Sequence, residues 1–211
     1  MESFIRSDQF NFIKEQTYHL IHGHSTVNDH GVIQALKSIS EEKVLNIFEE
    51  LSTDQAGMIK QVTGIEDQTD AVLILSQLKH YVIPFPEVQV NDIKEMFPKV
   101  KKVKVPVLNN IDRRELTYLG WNDYSAHRKY IVFPDDSSLK GIAGDFAKSR
   151  TKGICSICQE YEKVGMFTTT IKESEQQTVK RGNYICQESM ICNQKVTSLR
   201  PMHELIERLT T

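Results

Sequence analysis

Apolar residues in the first 83 positions recur every three or four residues, which is the spacing of one buried face of an α-helix. The first such stripe runs from Phe4 to Ile21, and Gly23 after it is expected to end the helix. Further stripes occupy residues 26–39, 40–51 and 67–82. Four or five short helices with brief connections predict an antiparallel bundle. The stripes suit either its core or a groove for a partner, and core packing is the more common use.

Capping residues mark where several of these helices begin. Thr26 with Asp29, and later Ser40, are suited to accept hydrogen bonds from free backbone N–H groups. Ser52 followed by Gln55 matches the capping box S-x-x-Q, in which each side chain bonds the other residue's backbone N–H. The sequence therefore predicts helix starts near residues 26, 40 and 52. The last helix is expected to bury its apolar side chains, which are Val72, Leu73, Leu75, Leu78 and Val82.

Four histidines between residues 19 and 30, which are His19, His22, His24 and His30, raise the question of a metal site. His19 and His22 would share a helix face, but no carboxylate stands at the spacing of a helical zinc motif such as H-E-x-x-H. We therefore expect these histidines at surface positions or helix ends.

The pattern and the charge both change near residue 84, where Pro84 and Pro86 interrupt helix formation. Residues 1–83 carry 6 Lys and Arg against 12 Asp and Glu, whereas residues 84–211 carry 20 against 16. We predict a domain boundary here, with domains over 1–83 and 84–211. The sequence has no secretory signal and no apolar run long enough to span a bilayer, so a cytoplasmic protein is expected.

Strand patterns follow the boundary, after a short helix predicted over residues 91–97. Within residues 99–105, Val103 and Val105 would lie on one face of a strand and Lys102 and Lys104 on the other, which predicts a strand. Its lysines suit contact with an acidic partner or a phosphate backbone, or they protect a solvated sheet edge, and both interpretations stay open. Two more strands are predicted over residues 118–122 and 127–133, with the single tryptophan, Trp121, as a core anchor. Gly141 and Gly144 are assigned to a loop.

The four cysteines of the chain all lie after residue 150 and fall into two pairs. Cys155 and Cys158 form a C-x-x-C motif, and after a gap of 27 residues Cys186 and Cys192 follow with five residues between them. Thiolates two residues apart in a tight turn reach adjacent corners of one tetrahedral metal ion. Pairing and number together predict one zinc ion bound by all four cysteines.

Other uses of these cysteines fit less well. Disulfides are disfavoured because no signal sequence directs the chain to an oxidising compartment. A redox C-x-x-C motif would require a thioredoxin-like βαβ context, which the sequence lacks. Unpaired buried thiols would not explain two pairs confined to one part of the chain. Four thiolates leave no open coordination position, so the zinc is expected to build structure rather than activate water.

Known catalytic motifs do not compete with this interpretation. The sequence has no phosphate-binding G-x-x-x-x-G-K-[ST] loop, no G-x-G-x-x-G fingerprint and no G-x-S-x-G nucleophile motif. We therefore expect a binding module and not an enzyme.

Around the cysteines the chain resembles the fusidic acid resistance proteins of the FusB type, which bind elongation factor G. The similarity rests on GICSIC at residues 153–158, GNYIC at 182–186 and SMICN at 189–193. The segments KVKKVK at 99–104, LGWN at 119–122 and RKYIV at 128–132 resemble that family in the same order. The first half matches it in length, in helical character and in TVND at 26–29.

The resemblance implies an α+β architecture, in which a helical bundle precedes an α/β domain with a treble-clef-like zinc finger. It also implies a function. Fusidic acid holds elongation factor G with GDP on the ribosome, and the family binds the factor and promotes its release, so that translation resumes. The partner would be elongation factor G, with the ribosome involved indirectly and with no membrane, no direct nucleic acid contact and no self-association expected.

By position, the resemblance assigns the contact surface to Ile154, Arg181, Tyr184 and Leu205. Ile154 and Leu205 stand where the family often has phenylalanine, and Arg181 stands where lysine is found. Arg181 is expected to reach the same patch as Tyr184, unless Tyr184 packs beneath the finger. The alternative function is a nucleic-acid- or ribosome-binding zinc module, for which the basic second half is only a weak signal.

Overall fold

This computed structural model describes residues 1–98, 100–108, 111–135, 138–173 and 177–210. The chain divides into two compact units, Met1–Ile83 and Pro84–Thr211. No helix among the described residues is both long enough and apolar enough to cross a membrane.

The first unit is a bundle of four α-helices. They are α1 (Ser7–Thr26), α2 (His30–Asn46), α3 (Thr53–Lys60) and α4 (Gln68–Lys79), with a 3-10 turn, Gln61–Gly64, after α3. Its core is formed by buried apolar side chains from all four helices and from the flanking segments. A parallel bridge between Ile5 and Val82 joins the two ends of the unit, with the Ile83 N–H donating to the Ile5 carbonyl over 2.8 Å.

Helix starts in this unit agree with the sequence in part. The capping box at α3 is confirmed, with the Gln55 N–H donating to Ser52 Oγ over 3.2 Å. The cap of α2 is Asp29, whose carboxylate accepts from the N–H groups of Gly31 and Val32. The predicted start at Ser40 is wrong: Ser40 is buried inside α2, because no glycine or proline interrupts helix formation there.

The face that α4 buries is narrower than predicted. Val72 and Leu73 are 61% and 60% exposed, whereas Ala71 and Leu78 are buried. Residues 71 and 78 are two helical turns apart and face the core together, and positions 72 and 73 lie on the other side of the same turn. The prediction that Val72 and Leu73 are buried is therefore wrong.

The second unit is built on a five-stranded antiparallel sheet with strand order β1-β2-β3-β4-β5. The strands are β1 (Leu119–Asp123), β2 (Arg128–Asp135), β3 (Ser138–Ile154), β4 (Tyr161–Glu173) and β5 (Thr178–Cys186). Helix α5 (Val90–Met96) precedes the sheet, and α6 (Ser189–Asn193) and α7 (Arg200–Thr210) follow it. The helix predicted over residues 91–97 and the strand pair formed by β1 and β2 are confirmed.

Trp121 is a core residue, as predicted. Its ring stacks on Tyr130 with centroids 4.9 Å apart, and Phe97 meets both rings edge-on. Its indole N–H donates to the Lys104 carbonyl over 2.8 Å. This cluster lies between the sheet and the segment before it.

The lysine-rich segment is not a strand. Lys99 lies outside the described residues, and residues 101–108 run without regular structure, with Val103 and Val105 packed against the cluster around Trp121. Pro106 interrupts any strand ladder, and the Lys104 carbonyl bonds the indole instead of a neighbouring strand. Gly141 and Gly144 lie within β3 and not in a loop. A Cβ at Gly144 would lie 2.5 Å from the Thr168 carbonyl oxygen of β4, so the two strands approach closely there.

Candidate metal centre and its exposed surroundings

Three separate elements of the second unit bring the four cysteines together. Cys155 and Cys158 lie in the turn between β3 and β4, Cys186 ends β5, and Cys192 lies in α6. The turn is closed by the Gln159 N–H donating to the Cys155 carbonyl over 2.9 Å, and Gln159 has a positive φ of 62°. Pairing of Val164 with Cys186 then places the end of β5 beside this turn.

The sulfur atoms form a compact group. Sγ of Cys155 lies 3.8 Å from that of Cys192, Cys158 and Cys186 are 3.7 Å apart, and all four sulfurs lie within 4.8 Å of one another. A tetrahedral zinc ion with Zn–S bonds of about 2.3 Å requires sulfur separations of about 3.8 Å, whereas a disulfide bond is about 2 Å long. All four thiols are buried and free. The arrangement fits zinc, and no other cluster of metal-binding side chains occurs among the described residues.

Backbone groups and neighbouring thiols stabilise charge on the sulfurs. The N–H groups of Ile157 and Cys186 donate to Cys155 Sγ over 3.4 and 3.3 Å. Hydrogen bonds from the other thiols, first from Cys158, lower the pKa of Cys155, while the hydrogen bond shared with Cys155 raises the pKa of Cys192 well above its ordinary value. The pKa of Cys158 is also lowered and that of Cys186 is raised, so charge on two of the sulfurs disfavours charge on the other two, and a cation among them would stabilise all four as thiolates.

Asn193, directly after the last cysteine, fastens α6 to the start of the sheet. Its Oδ1 accepts from the N–H groups of Thr117 and Tyr118 over 2.6 and 3.0 Å, and its Nδ2 donates to the Tyr118 carbonyl over 2.9 Å. Asn193 is fully buried. The amide therefore positions Cys192 against β1. No separate signal in the sequence indicated this role beyond the position of Asn193 beside a cysteine.

Lys129, on β2, is fully buried although lysine is normally a surface residue. Its ammonium donates to Asn122 Oδ1 over 3.2 Å and to the Gln187 carbonyl over 3.0 Å, and it lies 5.1 Å from the centre of the Phe146 ring. Burial lowers the pKa of Lys129 to about 8. The nearby thiolates and Glu188 have the opposite, smaller effect, because their negative charge favours the charged form of the lysine. The sequence of β2, in which Lys129 stands between Arg128 and an apolar run, did not distinguish this lysine from a solvated one.

Two of the four expected contact residues are exposed beside the cysteines. Ile154, directly before Cys155, is 57% exposed, and Tyr184, two residues before Cys186, is 49% exposed. The Ser156 N–H donates to the Tyr184 carbonyl over 2.8 Å, which holds β5 against the cysteine turn. Tyr184 therefore does not pack beneath the finger.

Arg181 and Leu205 are placed differently from what was expected. Alternate residues of a strand point to opposite faces, so Arg181 and Tyr184 lie on opposite faces of β5, where they pair with Thr169 and Met166 of β4. The Arg181 guanidinium donates to the Arg208 carbonyl of α7 over 3.0 Å. Leu205 is 2% exposed and packs in the core with the cysteines, because α7 turns this side towards the sheet. Leu205 is therefore not available as a surface contact.

Comparisons with known proteins agree with this architecture. Residues 4–86 match a family model described as the N-terminal domain of elongation factor G-binding protein, and residues 95–210 match one described as a C-terminal treble-clef zinc finger. The structure of the fusidic acid resistance protein FusC superimposes with a TM-score of 0.89 at 31% identity, covering 99% of this chain and 98% of that one. Comparison with curated protein sequences gave no match.

Proposed function

The chain belongs to the family of elongation factor G-binding proteins with a C-terminal treble-clef zinc finger, and from this membership we propose that it binds elongation factor G and promotes its release from the ribosome. This activity would relieve translation that fusidic acid has stalled. Residues 84–211 carry the contact, and residues 1–83 form a separate folding unit. The molecule acts as a monomer in the cytoplasm and has no catalytic step.

The metal has a structural role in this proposal. Thiolates of Cys155, Cys158, Cys186 and Cys192 bind one zinc ion, and when bound it supplies the cross-link between the β3–β4 turn, the end of β5 and α6. With four sulfur ligands no position remains for water or substrate. The chain's own contribution is to bury the thiols and to direct backbone N–H groups at Cys155 Sγ.

The observation that carries the proposal is the exposure of Ile154 and Tyr184 next to two buried cysteines. Side chains on a cross-linked turn lose little conformational entropy when they are covered, and tyrosine is among the residues that dominate binding energy. Arg181 lies on the other face of β5 and is held by α7. Its positive charge favours the approach of an acidic partner. Arg181 can do this without belonging to the same contact patch as Tyr184.

Release follows from linkage between two equilibria. A binder shifts the factor off the ribosome only as far as it prefers the released or releasing conformation of the factor. Tight binding that is equal in both states would change nothing. The proposal therefore requires that this protein bind free elongation factor G, or the factor as it leaves the ribosome, more tightly than the factor that fusidic acid holds on the ribosome.

Titration calorimetry of the zinc-loaded protein with purified elongation factor G and GDP tests the contact. We expect a complex of one to one stoichiometry, weakened at least tenfold by Tyr184→Ala, with only a modest dependence on salt. Sedimentation of ribosomes with fusidic acid then tests release: the factor should move to the supernatant when the protein is added. Absence of any complex overturns the proposal, and steeply salt-dependent binding to ribosomal RNA alone would favour the nucleic-acid module instead.

A further inference from the structure

Tyr161 lies directly across the strand pair from Ile154. The register of β3 and β4 pairs these two residues as the last pair before the turn that holds Cys155 and Cys158. Tyr161 is 61% exposed, more than Tyr184. Paired residues of antiparallel strands project from the same face, so the two side chains form one continuous apolar surface.

Two lysines extend this surface along the same strands. Lys152 pairs with Lys163, and each lies two residues from Ile154 or Tyr161, which places all four side chains on one face. Lys152 Nζ lies 5.9 Å from the centre of the Tyr161 ring. On the opposite face, the Glu162 carboxylate pairs with Lys195 at 2.5 Å, and its electrostatic interaction with Lys152 is weaker than that with Lys195. An exposed ring with two cations beside it is complementary to an acidic surface that has an apolar pocket.

The backbone under this patch is held on both sides. The Cys155 N–H donates to the Glu160 carbonyl over 3.0 Å, immediately before Tyr161, and the residues between Ile154 and Tyr161 include two of the four cysteines. With the metal bound, neither side chain can move away from the other without opening the finger. Such preorganisation lowers the entropic cost of burying the ring against a partner.

We propose that Tyr161, supported by Ile154 and Lys152, is the main aromatic anchor of this protein on an acidic surface of elongation factor G. The inference rests on the proposed function for the identity of the partner. It adds a residue, a face of the sheet and a charge requirement to that function. Tyr184 pairs with Met166, five residues along β4 from Tyr161, so it lies on the other face of the sheet and outside this patch.

The chain contains a matched control for this tyrosine. Tyr124, in the turn between β1 and β2, is 58% exposed and also has a lysine at its ring, with Lys148 Nζ 4.3 Å from the centroid. Tyr161→Ala and Tyr124→Ala therefore remove similar rings, each with a neighbouring cation, from different parts of one sheet. Binding of zinc-loaded full-length variants to elongation factor G is measured by calorimetry, with zinc content and melting temperature measured on the same samples.

We expect Tyr161→Ala to weaken binding at least tenfold, with Tyr124→Ala within twofold of the parent. Lys152→Glu changes only an exposed side chain, so it tests the surface without risk to folding, and it should weaken binding about fivefold or more at low salt and less at high salt. A folded Tyr161→Ala protein that binds as tightly as the parent would overturn this inference, and so would equal losses of affinity in both tyrosine variants. Neither result would contradict the proposed function. Should Tyr161→Ala lose zinc, unchanged binding by Lys152→Glu overturns it. A parent protein that fails to bind the factor overturns the proposed function and this inference with it.

Discussion

The ammonium group of Lys129 donates a hydrogen bond to the carbonyl of Gln187, the residue that follows Cys186, across 3.0 Å. A buried positive charge is thereby fixed beside a cluster that carries negative charge once its thiols ionise. The carbonyl it bonds also accepts from Asn122 Nδ2 over 2.9 Å, so the turn after Cys186 is held from β1 and β2 together.

Lys129→Met keeps the volume of the side chain and removes its charge. We expect it to release zinc to a chelator about tenfold faster than the parent, which corresponds to about 1.4 kcal/mol, because the thiolates lose a favourable neighbour. Melting temperature in saturating zinc should change little, since an apolar isostere often replaces a buried ion without loss. Lys148→Met, on β3, is the control, and equal release rates in all three proteins would contradict the assigned role.

Removal of zinc should unfold the second unit and leave the helices of the first. Binding energy at such sites is about 10–16 kcal/mol and is coupled to folding. Trp121 belongs to the second unit, so its fluorescence reports that unit alone, while far-ultraviolet dichroism follows the helices. We expect a chelator or Cys186→Ser to shift the fluorescence towards that of unfolded protein, and acid to do the same as protons displace the metal. Unchanged fluorescence in protein shown to be metal-free would be the contrary result.

Asn193→Ala should destabilise the second unit by about 3 kcal/mol, since the buried N–H groups of Thr117 and Tyr118 lose this acceptor. Gln194→Ala, at the next and exposed position, should change the free energy of unfolding by less than about 0.5 kcal/mol. Denaturant unfolding followed at Trp121 measures both. Equal midpoints for the two variants would show that the amide does not hold α6 to β1.

Helix α4 has one buried leucine, Leu78, and one exposed leucine, Leu73, so the effect of burial can be compared within one helix. Leu78→Ala should cost about 2–5 kcal/mol because Leu78 is 1% exposed and its truncation leaves a cavity. Leu73→Ala should cost less than about 0.5 kcal/mol, since Leu73 lies mostly in solvent. Thermal unfolding followed by helical dichroism distinguishes them, and similar losses for both would mean that α4 is rotated about its axis.

The sequence predicted those features that depend on local spacing. Helical periodicity indicated the bundle, the Ser52–Gln55 box gave the start of α3, and paired cysteines indicated the zinc site. Ser40 resembled a cap, but a capping residue inside an uninterrupted helical stripe does not start a new helix. The missed strands, β3 to β5, are rich in lysine and threonine and contain Gly141, Gly144 and Gly165, so they lack the apolar alternation that predicts a strand.

Which individual side chains are buried could not be predicted from local spacing in the sequence. Leu205 and Ile154 are both apolar residues of the second unit, yet one packs in the core and the other lies in solvent. Their difference is set by how α7 and the β3–β4 hairpin lie on the sheet. Lys129 likewise becomes a core residue only because its ammonium meets Asn122 across the β1–β2 hairpin and Gln187, which is 58 residues away in sequence.

The bonds between Asn193 and the start of β1 also set an order of events during synthesis. They join positions 75 and 76 residues apart in sequence, so neither can form until residue 193 has been made. The apolar core of the first unit, by contrast, is drawn from residues 5–82 and is available much earlier. In a growing chain the helical bundle can therefore fold first. Strand β1 gains its hydrogen bonds to Asn193 only after α6, which contains Cys192, has been synthesised. Metal delivered before that point meets at most three of its four sulfur ligands.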